Sequence, residues 1–159
     1  MNKLSTFKLL SALAMAIALQ AACAADTGPS NDAPDRLAPA RAHVAAKQWP
    51  AALDALRKVN DSGSADWNNL MGFSLRKSRN PDYAAAEKHY DAALRIDPRH
   101  RGALEYSGEL YLMTGDLAKA EQRLAALDKA CRFGCEEYTD LKEAVAAYKS
   151  NGNRYVSRD

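Results

Sequence analysis

The chain has 159 residues, of which 47% are hydrophobic and 26% are charged, a composition that fits one small globular domain. Of its 22 basic side chains, Lys3 and Lys8 lie within the first 24 residues, so the rest of the chain has 20 basic against 20 acidic side chains. Binding to the phosphates of nucleic acid needs an excess of basic side chains, so this balance argues against nucleic acid as a partner. No apolar run after residue 24 is long enough to cross a bilayer, which excludes a multi-span membrane protein.

Residues 1–24 have the pattern of a secretory signal peptide. Two lysines precede an apolar stretch, Leu9–Leu19, which at eleven residues is too short to cross a bilayer as a helix. Ala22 and Ala24 form an A-x-A cleavage site, so we predict that the mature chain begins at Ala25. The expected location is the bacterial periplasm, where disulfides persist.

Cys23 offers an alternative to simple cleavage. In a lipoprotein signal, small residues precede a cysteine that becomes the lipidated N-terminus, usually with a leucine three residues upstream, where this chain has Gln20. The second interpretation is therefore a membrane-anchored lipoprotein attached through Cys23. The segment that follows, residues 25–35, is polar and contains Gly28, Pro29 and Pro34, so we predict a disordered linker.

After the linker the sequence repeats with a period of 34 residues. Four positions recur three times at this spacing, and their offsets of 3, 4 and 3 residues within each copy follow one face of a helix. The recurring sets are Trp49, Tyr83 and Leu117; Ala52, Ala86 and Ala120; Leu56, Tyr90 and Leu124; and Val59, Ala93 and Leu127. Apolar-periodic segments at residues 36–47, 66–77 and 101–114 precede the three copies, so each unit is predicted to be a pair of helices.

Helix–turn–helix units of 34 residues resemble tetratricopeptide repeats. The resemblance is most specific between Asn69 and Leu127, where it rests on the recurring positions above and on Leu70-Met71-Gly72, Asp97-Pro98, Leu104, Gly108, Tyr111 and Gly115-Asp116. It implies an all-α fold, an α–α superhelix with right-handed twist in which three helix hairpins stack between residues 36 and 130. In this arrangement we expect Gly72 to face Ala86 and Gly108 to face Ala120, which lets helix backbones approach closely.

The resemblance also implies where a partner binds. In tetratricopeptide stacks the first helix of each unit lines a groove that holds an extended peptide or a partner helix. Carried onto this chain, that groove includes Asn69, Phe73 and Arg76 from the second unit and Glu105, Glu109 and Leu112 from the third. From charge alone, Glu105 and Glu109 would instead be a solvated acidic edge on one helix face.

Cys131 and Cys135 are the two cysteines left after the signal segment. Residues four apart in a helical turn lie about 6 Å apart at Cα, which a disulfide accepts, so we predict a bond between them. The bond would fix a capping helix within residues 131–152, whose apolar stripe is Leu141, Ala144, Val145 and Tyr148, ahead of a flexible tail at 153–159. The alternative is a redox or copper-handling role for the pair, which Met113 could join as a soft ligand.

The sequence contains no G-x-S-x-G, no H-E-x-x-H and no phosphate-binding glycine loop. We therefore predict a non-catalytic protein–protein interaction adaptor of the bacterial envelope, with no cofactor and no metal site. The expected partner is a protein or peptide rather than nucleic acid, without an integral membrane span. The rival function is a periplasmic redox or copper accessory protein that uses Cys131 and Cys135, and a homodimer is a third interpretation.

Overall fold

The computed structural model describes residues 35–156, whose regular structure is seven α-helices without a strand. These are α1 (Ala38–Ala45), α2 (Trp49–Val59), α3 (Ala65–Lys77), α4 (Tyr83–Ile96), α5 (Arg101–Thr114), α6 (Leu117–Ala130) and α7 (Glu136–Ser150). The prediction of an all-α fold of helix hairpins is confirmed. The predicted signal peptide, the site of lipidation, the linker up to residue 34 and the last three residues lie outside the described range.

The 34-residue period marks the second helix of each hairpin. Helices α2, α4 and α6 begin at Trp49, Tyr83 and Leu117, the first set of recurring residues. The alanines of the second set, at 52, 86 and 120, are completely buried. The period is therefore a packing period, in which a small, completely buried residue returns at the same position of each second helix.

Side-chain caps explain where several of these helices begin. The carboxylate of Asp82 accepts a hydrogen bond from the Ala85 N–H at 2.9 Å, and that of Asp116 accepts one from the Lys119 N–H at 3.0 Å. Each carboxylate satisfies a backbone donor that the first helical turn leaves unpaired. Gly115, with a φ of 85°, ends α5 in the left-handed conformation that glycine adopts without strain.

Two glycines make room for large side chains, which differs from the expected alanine partners. A Cβ at Gly72 would lie 2.8 Å from the ring of Tyr90, and a Cβ at Gly108 would lie 2.5 Å from Leu141. The nearest side chains are thus Tyr90 and Leu141 rather than Ala86 and Ala120. Each glycine admits a bulky residue from another helix, α4 for Gly72 and α7 for Gly108, since a ring or a branched chain fills the space that the missing Cβ leaves.

Helix α7 covers the end of the third hairpin. Its apolar stripe of Leu141, Ala144, Val145 and Tyr148 is buried in one cluster with residues of α5 and α6, including Leu104 and Leu127. The predicted stripe is therefore confirmed as buried. Within residues 35–156, no helix combines the length and the apolar character that crossing a membrane requires.

Candidate functional site: a charged cavity between α3, α5 and α7

An arginine is buried between α3 and α5. The side chain of Arg76 is 2% exposed, and its Nη1 lies 2.7 Å from Oε2 of Glu109. Its guanidinium carbon also lies 5.4 Å from the ring centre of Phe73 and 5.6 Å from that of Tyr106. Phe73 and Arg76 are three residues apart on α3, so one face of the helix presents both of them.

The charge of Arg76 is retained despite its burial. Burial lowers the pKa of Arg76, but the groups that face it, Tyr90 and Glu109 foremost, outweigh that effect and hold the pKa above its ordinary value. A buried charge needs such a partner, because an uncompensated one costs several kcal/mol, on the order of 3–5. Arg76 and Glu109 therefore form a buried ion pair that joins the second hairpin to the third.

Glu105 lies one helical turn before Glu109 on α5 and has a different environment. It is 8% exposed, and within residues 35–156 its carboxyl group has neither a hydrogen bond nor an ion pair. Burial is the largest cause that raises the pKa of Glu105 to about 8, followed by the charges of Glu109, Asp140 and Glu137, while Arg76 opposes them. At neutral pH this carboxyl group is therefore mostly protonated.

These side chains surround a cavity of about 340 Å³, which we call the α3–α5–α7 cavity. It contains three carboxyl groups, two cationic groups and two aromatic rings, and its lining consists of Phe73, Arg76, Lys77, Glu105, Tyr106, Glu109 and Asp140. The two rings lie 4.5 Å apart between centres at an angle of 44°. Trp49 of α2 packs edge-on against Phe73, with 5.8 Å between the ring centres, and this contact fixes the position of the Phe73 ring.

Four of the six predicted groove residues line this cavity: Phe73, Arg76, Glu105 and Glu109. Asn69 is buried and lies apart from it, with its amide nitrogen beside Gly102 at the start of α5. Leu112 is 1% exposed and belongs to the apolar cluster that includes residues of α7, so it packs in the core and does not line this cavity. The reason is that α5 is covered on more than one side, by α3 and α4 and also by α6 and α7.

Sequence reasoning missed Lys77, Tyr106 and Asp140 as lining residues. Asp140 is the fifth residue of α7, Glu105 is the fifth residue of α5 and Asn69 is the fifth residue of α3. This shared position is the signal that could have found Asp140. It becomes visible when α7 is aligned with the first helices of the repeats instead of being treated only as a cap.

The turn between α6 and α7 holds the cysteine pair. The Sγ atoms of Cys131 and Cys135 are at the bonding distance of 2.02 Å, and their Cα atoms are 5.6 Å apart. A carboxylate oxygen of Glu137 lies within 4.8 Å of both sulfur atoms. Arg101 of α5 lies 3.6 Å from the same carboxylate, which links this turn to the start of α5.

Comparison with known protein families gives one match. Residues 80–145 match the tetratricopeptide repeat family, and this range runs from the start of α4 to most of α7. It includes Glu105, Glu109 and Asp140 as well as the cysteine pair. Repeats of this kind support a role in protein–protein interaction and are generally non-catalytic. Residues 80–145 of the chain are therefore similar to tetratricopeptide repeats, which supports the resemblance that the 34-residue period indicates.

Proposed function

We propose that this protein is a non-catalytic adaptor of the bacterial envelope, which holds a segment of a partner protein in the α3–α5–α7 cavity. The observation that carries the proposal is the concentration of charged and aromatic side chains at one place, where three successive first helices meet. A folded protein gains little from burying Arg76 and Glu105 there, because well-packed apolar residues of similar volume are as stable or more so. Interaction with a bound partner accounts for the presence of these charged groups in the cavity.

The lining of the cavity suits an extended peptide. The rings of Phe73 and Tyr106 are half-buried, so each has a surface to pack against and a surface to present. Carboxyl and guanidinium groups beside them supply acceptors and donors for backbone amides. The lining includes no serine, cysteine or histidine, so the nucleophile–base pair that acyl transfer needs is not among the groups at this position.

Site-specific photo-crosslinking in the native cells tests this function. A benzophenone amino acid replaces Phe73 in the cavity or, as a matched control, Ala125, an exposed residue of α6. We expect a discrete crosslinked protein with the first variant and none with the second. Crosslinking of the same species at both positions, or at neither, contradicts the proposed binding site.

The proposal places the protein outside the cytoplasm, for which residues 1–24 are the support. Fractionation of the native cells and mass spectrometry of the purified protein test this location. We expect an N-terminus at Ala25 in the periplasmic fraction, whereas a lipid-modified Cys23 in the membrane fraction supports the anchored alternative. A chain that retains residues 1–24 in the cytoplasm contradicts both.

The cysteine pair favours a second candidate function, that of a redox or copper accessory. The observation for it is that the two sulfur atoms, which are bonded to each other in this structure, lie close to a carboxylate oxygen of Glu137, so that reduction of the bond would give two thiols beside a carboxylate, a set that a soft or borderline metal accepts. Its test is the mass of the purified protein under non-reducing conditions. A mass lower by two hydrogens than the reduced chain identifies a structural disulfide, and free thiols or bound copper support the second function.

A further inference from the structure

Glu105 is the member of the α3–α5–α7 cavity that folding does not explain. More than nine-tenths of the residue's surface is buried, and its carboxyl group has no hydrogen bond or ion pair among the described residues, while its oxygens are not completely buried and face the cavity. A carboxyl group in such a narrow opening keeps few contacts with water, and a partner that closes the opening must replace them with a hydrogen bond or an opposite charge. A carboxyl group of this kind, facing a cavity, indicates a ligand that supplies the missing partner.

The charged groups around Glu105 indicate whether the ligand is positively or negatively charged. Glu109 is already paired with Arg76, at 2.7 Å, and so does not offer its charge to a further cation. The titratable groups around Glu105 come from two other helices as well as its own: Arg76 and Lys77 on α3, Tyr106 and Glu109 on α5, and Glu137 and Asp140 on α7. Within the lining, three carboxyl groups face two cations, so one additional positive charge balances the cavity once Glu105 is ionised.

The aromatic rings define the shape of the ligand. Phe73 already has the cations of Arg76 and Lys77 within 5.4 and 6.0 Å of its ring centre, so this ring lies in a position where positive charge is accommodated. The adjacent ring of Tyr106, the next residue after Glu105, lies beside it at 4.5 Å. A flexible alkyl stem that carries a terminal cation can lie along the rings and place its charge at the carboxylate, as lysine and arginine side chains do.

We propose, on the basis of the function proposed above, that Glu105 receives a lysine or arginine side chain of the bound partner segment. The ligand is thus a basic peptide segment, recognised by a carboxylate in the lining of the cavity and by the rings of Phe73 and Tyr106. The specificity comes from desolvation: a partner without the cation leaves Glu105 unpaired, while one with it forms a charge-assisted hydrogen bond in a buried place.

Binding of this kind is coupled to pH. Because the free carboxyl group of Glu105 is protonated below about pH 8, it must release a proton before it pairs with a cation. The affinity for a basic segment therefore rises with pH up to about 8, by at most about tenfold per pH unit.

An array of random decapeptides, probed with the purified protein at pH 8.5, tests the inference. Peptides that bind are synthesised again with each lysine replaced by norleucine and each arginine by citrulline, and their affinities are measured by titration calorimetry. For the native chain we expect one such replacement to weaken binding at least about tenfold. For Glu105→Gln, which keeps the shape of the side chain, we expect less than about a twofold effect. Glu121→Gln, an exposed site on α6, should behave like the native chain.

Three outcomes separate the two proposals. In the first outcome, peptides bind more weakly to Phe73→Ala but keep their affinity after every norleucine or citrulline replacement. This outcome overturns the Glu105 inference and leaves the proposed function standing. Peptides that bind equally well to Phe73→Ala contradict the cavity as the binding site, and a complete lack of binding contradicts both. A carboxyl resonance of Glu105 that titrates at lower pH when the basic peptide is present supports the inference independently of any variant.

Discussion

Two arginine–carboxylate pairs of nearly equal length lie on different sides of the third hairpin, and their surroundings give them different meanings. Arg76 and Glu109 are 2.7 Å apart with side chains 2% and 17% exposed, whereas Arg123 and Asp91 are 2.8 Å apart with side chains 24% and 42% exposed. The first pair is surrounded by rings and by an additional acid. The second lies in a surface network with Tyr111, Glu87 and Lys119. Distance alone therefore does not show which pair the fold depends on; burial does.

The largest expected effect is the loss of the buried cation. Arg76→Ala leaves the carboxylate of Glu109, whose side chain is only 17% exposed, without its compensating charge. We expect the free energy of unfolding to fall by about 3–5 kcal/mol, as measured by urea denaturation at pH 7. The double variant Arg76→Met/Glu109→Leu, which removes both charges and keeps the volume, should regain most of this loss. A cost below about 1 kcal/mol for Arg76→Ala would place the pair in the same class as the surface pair.

The next effect concerns the pH dependence that Glu105 gives to stability. Its pKa is raised to about 8 in the folded chain, above the ordinary value of 4.5, so the unfolded chain binds fewer protons than the folded chain between these pH values. The free energy of unfolding therefore has its full contribution from Glu105 below about pH 4.5. This contribution decreases as the pH rises and is lost once the pH passes about 8. We expect Glu105→Gln to become more stable than the native chain across this range, by up to about 4 kcal/mol at pH 8.

Paired urea titrations at half-unit pH intervals measure this difference. The matched control is Glu121→Gln, which removes the same charge from an exposed position and should give a difference that does not vary between pH 5 and 8. A constant difference for Glu105→Gln as well shows that Glu105 titrates in the ordinary range and removes the basis for its pairing with a bound cation.

Much of the fold was predictable because it follows from local repetition. The recurrence of Trp49, Tyr83 and Leu117 gave the starting residues of three helices, and the completely buried alanines three positions later follow the same period. Amphipathic spacing also predicted the buried stripe of α7. These properties depend on neighbours within one helix, and the sequence pattern records such neighbours directly.

The candidate site was predictable only in part, since its character depends on contacts between helices. Arg76 is in the last turn of α3, where a basic residue is ordinarily solvated, and its burial depends on Glu109 from a different hairpin. Leu112 has the helical position that corresponds to Arg76 and is equally buried, but it packs in the apolar cluster with residues of α7 instead of lining the cavity. The same position in two repeats thus differs according to what packs above it, which the spacing of residues does not encode.

A substitution at Gly72 changes the packing of the core without changing any charge, so it measures how much tight packing alone contributes to stability. Gly72→Ala places a Cβ 2.8–3.0 Å from three ring atoms of the completely buried Tyr90. Alanine favours the helix by about 1 kcal/mol, but forcing the ring to move costs more, so we expect a net loss of about 1–2 kcal/mol in the free energy of unfolding. Gly63→Ala, where the nearest atom lies 3.8 Å away, should show no loss. Thermal and urea denaturation measure both, and a stabilised Gly72→Ala would contradict the tight contact with Tyr90.

The smallest expected effect is at the surface pair. Arg123→Ala and Asp91→Ala each remove one partner of an ion pair that water and the phenol of Tyr111 partly surround, so the charge that remains can be solvated. A double-mutant cycle should give a coupling energy of about 0.5–1 kcal/mol at low salt, falling as salt screens the pair. The same cycle at Arg76 and Glu109 should give a larger value that changes little with salt, because water and ions have little access to the buried pair. Equal couplings with equal salt dependence would show that burial does not distinguish the two pairs.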